Sequence, residues 1–112
     1  MEFRDKLYEM VNALKATKEY KEFITLKEDI KKDEKLYALL KEFKAKQKDH
    51  QINYINGTKM SDEEATNMQN IYSILIQNIK VRMLLDNEVK LDMMLAEVQK
   101  VMGSALKEIV EF

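Results

Sequence analysis

The sequence predicts an all-α fold: an antiparallel bundle of about five helices with a projecting helical hairpin and a long C-terminal helix. Three observations predict it. The 112 residues contain no Pro and two Gly, where average usage gives about six and eight, so turn punctuation is almost absent while good helix formers abound. Apolar residues recur at spacings of three and four along the chain. Polar residues able to cap a helix stand where these stripes break. A chain of this length can bury roughly two thirds of its unfolded surface, enough for a single helical domain over residues 1–112.

The first stripe, Phe3, Leu7, Met10, Val11 and Leu14, predicts a helix over about 2–16. Thr17 reads as the N-cap of a second helix reaching about Lys31, with Tyr20, Phe23, Ile24, the stem of Lys27 and Ile30 on its apolar face. Asp33 caps a third, from Glu34 to about Asn56, with Glu34 matched to the positive end of the helix dipole. Its stripe of Leu36, Leu39, Leu40 and Phe43 turns polar at Gln47, His50 and Tyr54, as on a helix that leaves the core or meets a partner. Asn56-Gly57 ends it, since Gly closes a helix in the left-handed region without a Cβ clash. Ser61-Asp62-Glu63-Glu64 is a capping box that opens a fourth helix carrying Ala65, Met68, Ile71, Tyr72 and Leu75. A linker of about four or five residues makes the third and fourth helices antiparallel.

A further cap near Gln77-Asn78 leaves a break or a bend open, and from Ile79 the last helix runs to the C-terminus. Its seam follows a four-three spacing through Leu84, Glu88, Leu91, Leu95, Val98, Met102, Ala105 and Ile109. Met83, Met94 and Val101 flank it on one side and Val81, Leu85, Leu106 and Val110 on the other. The resulting apolar arc of roughly 200° is about twice what one packed face needs. The helix therefore has two surfaces to bury against, the second belonging to this chain or to another copy. The interface candidates are Leu84, Leu85, Leu91, Met93, Met94, Leu95, Val98, Met102, Gly103 and Leu106. Gly103 lies inside the helix at a cost of about 1 kcal/mol relative to Ala, so a close helix approach is expected there. The four Met of this helix, 83, 93, 94 and 102, are expected mainly in the core, with Met93 opposite the seam as an anchor if exposed.

Composition narrows the chemistry. There is no Cys and one His, which excludes disulfides, clusters bound through the chain's own thiolates, and His/Cys zinc sites. His50 has no Ser or Thr one or two helical turns away to activate, and Glu88 with Asp92 lacks the Glu-x-x-His partners of a di-iron bundle. Glu88 is expected as a buried paired or register-setting group. The two Gly are isolated, so there is no phosphate loop. No catalytic residue, metal ligand or cofactor is expected, and the chain reads as a non-enzyme. Residues 1–59 hold 14 basic and 11 acidic groups and residues 60–112 hold 5 and 9, for a net charge of -1. That balance argues against nucleic acid as the main partner. The alternative is an RNA-contacting module using the Lys41–Lys48 face, with Lys41, Lys44, Lys48 and Tyr54 as its residues. The charged start and the lack of a 20-residue apolar run predict neither a secretory signal nor a membrane span, hence a cytoplasmic protein.

The run Tyr20-Lys21-Glu22-Phe23, Leu36-x-x-Leu39-Leu40-Lys41-Glu42-Phe43-x-x-x-Gln47, the loop Asn56-Gly57-Thr58-Lys59, the Asn78-Ile79 junction and the last helix with Leu91, Leu95, Val98 and Met102 resemble the YlbF/YmcA family. The likeness spans about Leu7 to Ile109. It implies a non-enzymatic, all-helical regulator of low-GC Gram-positive bacteria that oligomerises through its helices and acts in competence, sporulation and biofilm formation. It also implies sibling family proteins as partners and a link to mRNA maturation by the membrane ribonuclease RNase Y. The family's complexes are associated with iron–sulfur clusters held by Cys, and this chain, having none, departs from them there.

Overall fold

A computed structural model describes residues 2–111. They form six helices: α1 (Glu2–Lys15), α2 (Lys18–Lys31), α3 (Glu34–Ile55), α4 (Asp62–Leu75), α5 (Ile79–Ala105) and the single-turn α6 (Lys107–Val110). There is no strand among the described residues, and the all-α expectation holds.

The boundaries are set by caps. The Thr17 hydroxyl accepts from the Tyr20 amide at 3.2 Å while donating to the Leu14 carbonyl at 2.7 Å, so one side chain closes α1 and opens α2. Asp33 accepts from the Leu36 amide at 3.1 Å, and Ser61 from the Glu64 amide at 3.1 Å. Asn78 Oδ1 accepts from both Lys80 and Val81 amides at 2.9 and 3.2 Å, which settles the junction as a break between α4 and α5. The last helix does not reach the C-terminus in one piece: the chain turns at Leu106 before α6.

At the end of α3 the Gly57 amide donates to the Tyr54 carbonyl and the Thr58 amide to the Asn53 carbonyl, at 3.0 and 2.8 Å. This pair of bonds is a Schellman closure, which requires the left-handed backbone that Gly57 adopts at φ 83°. Nothing lies within 4 Å of where a Cβ would sit, so the obstacle to a side chain is backbone strain alone. Gly57→Ala is expected to lower stability by about 1–2 kcal/mol, read from urea denaturation followed by circular dichroism.

The residues divide into two compact units, one comprising those up to Ile24 together with those from Leu84, the other Thr25–Met83. The second, the hairpin unit, holds most of the core: Leu26, Ile30, Leu40, Phe43, Ile71, Leu75 and Val81 are buried. Leu26 and Val81 were not predicted as core. Leu26 stands three residues after Phe23 and four before Ile30, so it falls on the same stripe. α3 and α4 pack against each other, with the Phe43 and Tyr72 rings 5.8 Å apart. Residues 46–53 of α3 face 58–68 across a cleft, which fixes the pair as antiparallel. The connection, residues 56–61, is slightly longer than the predicted linker because the Schellman turn and the Ser61 cap each use residues of it.

In the first unit the buried residues described are Leu84 and Asn87, and none of the described residues of α1 is buried. Asn87 is 4% exposed and donates to Glu22 Oε2 at 3.4 Å. It is the buried polar group of α5. Glu88, expected in that role, is half-buried.

Candidate functional site

The unit containing the chain ends keeps most of its large apolar side chains in water. On α1 the predicted stripe is present as a stripe, but Leu7, Tyr8, Met10 and Val11 are exposed and Phe3 is 79% exposed, with only Leu14 half-buried. A helix whose apolar face meets nothing gains little from tertiary packing, which supplies most helical stability in proteins.

The seam of α5 changes character along its length. Leu84 is buried, and Leu85, Leu91, Met94 and Val98 are half-buried by the chain itself. Beyond Val98 every residue described through Ile109 is exposed, including Val101, Met102, Leu106 and, at 70%, Ile109. The wide arc thus has one part covered within the chain and another part bare. Leu84 belongs to the core and is not accessible to a partner, while Met93, Leu95, Met102, Gly103 and Leu106 of the predicted interface are accessible.

Two expectations are corrected here. Met83, Met93 and Met102 lie exposed instead of filling the core, and Met94 is half-buried. Met93, at 67% exposure, is the anchor-like residue opposite the seam. Among the described residues none comes close at Gly103, where a Cβ would meet open space. The α1 residues Phe3, Leu7 and Met10 were not foreseen as interface candidates. Their spacing gave a helix face correctly, but whether another element covers that face is not a property of spacing.

The lysines of α3 do not form one continuous stripe, as their spacing indicates. The Lys41 ammonium sits 4.5 Å from the Tyr37 ring centroid, and Lys46 pairs with Glu42 at 3.1 Å. Lys48 is exposed, Lys44 half-buried, and Tyr54 exposed with its ring 6.5 Å from that of His50. His50 lines a cleft of about 360 Å³ between α3 and α4 together with Lys46, Asp49, Asn53, Lys59, Ser61 and Glu64. Both charge signs meet there, so the cleft has no preference for an anion or a cation. Among the described residues no three His, Cys, Asp or Glu side chains converge as a metal site, and no helix is long and apolar enough to cross a membrane.

The family described as "Control of competence regulator ComK, YlbF/YmcA" matches residues 3–107. The chain belongs to the YlbF/YmcA family. Among the relatives similar to this YlbF/YmcA chain is a UPF0342 protein of Caldicellulosiruptor saccharolyticus, 33% identical over 102 residues, which cover 91% of this chain and 85% of that protein. Another is the UPF0342 protein YheA of Bacillus subtilis, 25% identical over 107 residues covering 96% and 92%. The fold is similar to a solved protein of unknown function (DUF964) from Bacillus stearothermophilus, with a TM-score of 0.78 and 20% identity, covering 99% of this chain and 97% of that one.

Proposed function

We propose that this YlbF/YmcA protein is a non-enzymatic cytoplasmic adaptor that regulates development through helix–helix association. The observation that carries the reading is the run of exposed large apolar side chains on α1 (Phe3, Leu7, Met10, Val11) and on distal α5 (Val101, Met102), since apolar side chains clustered in water mark interaction surfaces. Family membership supports control of competence as the setting. The likeness extends the reading to sporulation and biofilm formation, with sibling family proteins and RNase Y-dependent mRNA processing as the machinery served. The cleft beside His50 also holds Thr58 and Ser61, but the Ser61 hydroxyl accepts from the Glu64 amide as the cap of α4, a structural use that favours an adaptor over a catalyst.

The test is complementation. In a strain lacking the gene, the wild-type chain restores competence and the normal pattern of mapped transcript ends. The double variant Leu95→Lys, Val101→Glu is expected to melt like wild type, because both side chains are exposed, yet to restore neither readout. Full complementation by that variant would sink the adaptor reading.

A further inference from the structure

We propose that the cleft between α3 and α4 binds a small zwitterion, an ammonium and a carboxylate carried on one apolar body, the chemistry shared by a free amino acid and a short peptide. This goes beyond the adaptor reading and does not depend on it. The cleft lies wholly within the hairpin unit. Its volume of about 360 Å³ falls among sites that hold small ligands, roughly 300–1,000 Å³. Asp49 belongs to the α3 wall, Glu64 to the α4 wall and Lys59 to the connection that closes one end.

The charges gathered there are left unused by the protein. Among the described residues none forms an ion pair or a hydrogen bond with the side chain of Asp49, Lys59 or Glu64. Opposite charges that approach one another elsewhere do pair, as Lys46 does with Glu42 at 3.1 Å and Lys80 with Asp29 at 3.7 Å. Glu64 is the most telling of the three. The Ser61 hydroxyl accepts from the Glu64 amide, yet the Glu64 carboxylate does not return the bond to the Ser61 amide that a full capping box contains. Its carboxylate is therefore free to take an ammonium. Asp49 and Glu64 stand against Lys46 and Lys59, so the lining sums to zero. A lone cation or anion answers one sign and meets repulsion from the other, whereas a zwitterion answers both. The two carboxylates also disfavour a nucleotide's phosphates. Met60 and Met68, both half-buried in the lining, supply an adaptable apolar surface for the body of the ligand. Asn53 and Asn67 add an amide donor and acceptor from each helix.

Titration of the full-length protein with L-leucine, followed by backbone amide NMR shifts, tests the assignment. Saturable shifts centred on residues 46–68 are expected, with a dissociation constant on the order of 1 mM because each charge pair formed in so open a site contributes little. The two relatives of leucine with one charge each, 4-methylpentanoate and 3-methylbutylamine, should bind at least tenfold more weakly. Glu64→Gln should weaken leucine binding at least fivefold, whereas Glu63→Gln, in the same first turn of α4 but outside the cleft, should leave it unchanged. The dipeptide Leu-Leu separates the two sources: tighter binding than leucine supports the site with a peptide as occupant, and weaker binding supports it with a free amino acid. No saturable shift with either compound at tenfold the expected dissociation constant overturns the site. A response to either singly charged relative as strong as that to leucine overturns the zwitterion as its ligand. The complementation result for the adaptor reading is read independently of each of these.

Discussion

Replacing Leu75 by Ala is expected to cost about 2–5 kcal/mol of unfolding free energy, the range for a large side chain lost from a core that cannot collapse around it. Leu75 is wholly buried at the end of α4, in the unit that holds most of the core. Against a total of about 5–15 kcal/mol for a domain, that is a large fraction, and substantial unfolding at 37 °C is the expected outcome. The neighbouring Ile74 is more than half exposed, so Ile74→Ala should stay within about 0.5 kcal/mol of wild type. Urea denaturation of the two variants followed by circular dichroism checks both. Equal effects would mean that the register of α4 against its neighbours is not the one described.

The second large effect is expected at Asn87. This side chain is nearly excluded from water and donates to the Glu22 carboxylate at 3.4 Å. Asn87→Asp replaces the donor with a second carboxylate, which brings like charges together in a desolvated place and should cost about 3–5 kcal/mol at neutral pH. Asn87→Leu removes the donor without adding charge. It leaves Glu22, which is half-exposed and paired also with Lys18 at 3.7 Å, and should cost about 1–3 kcal/mol. Thermal melts of the two variants test the ordering, and an Asp variant no worse than the Leu variant would show that the Asn87–Glu22 bond is not a feature of the protein in solution.

The helices and their ends were legible because each is decided by neighbours in sequence. Thr17, Asp33, Ser61 and Asn78 bond to amides two or three residues away, and Gly57 is read from the single backbone state it enables. The α3–α4 hairpin followed from a short connection. Less was legible about burial. Val81 is wholly buried although its place in the pattern was a flank, and the buried polar residue proved to be Asn87, one position from the predicted Glu88. A one-residue step turns a helix by 100°, so a seam drawn with a tolerance of one position cannot say which of two adjacent polar residues points inward.

The candidate interface shows the same division. Periodicity marked an arc on α5 too wide for one neighbour, and it marked an apolar stripe on α1. It did not say that the chain covers α5 only as far as Val98, nor that it leaves α1 almost entirely uncovered. The sequence by itself determined an all-helical chain, the position of nearly every cap, the hairpin and the lack of thiol chemistry, since these depend on residue type and on bonds spanning a few residues. Only the tertiary structure decided which apolar side chains are covered within the chain and which stay exposed. Burial depends on which distant segments reach a given face, and local spacing carries no information about that reach.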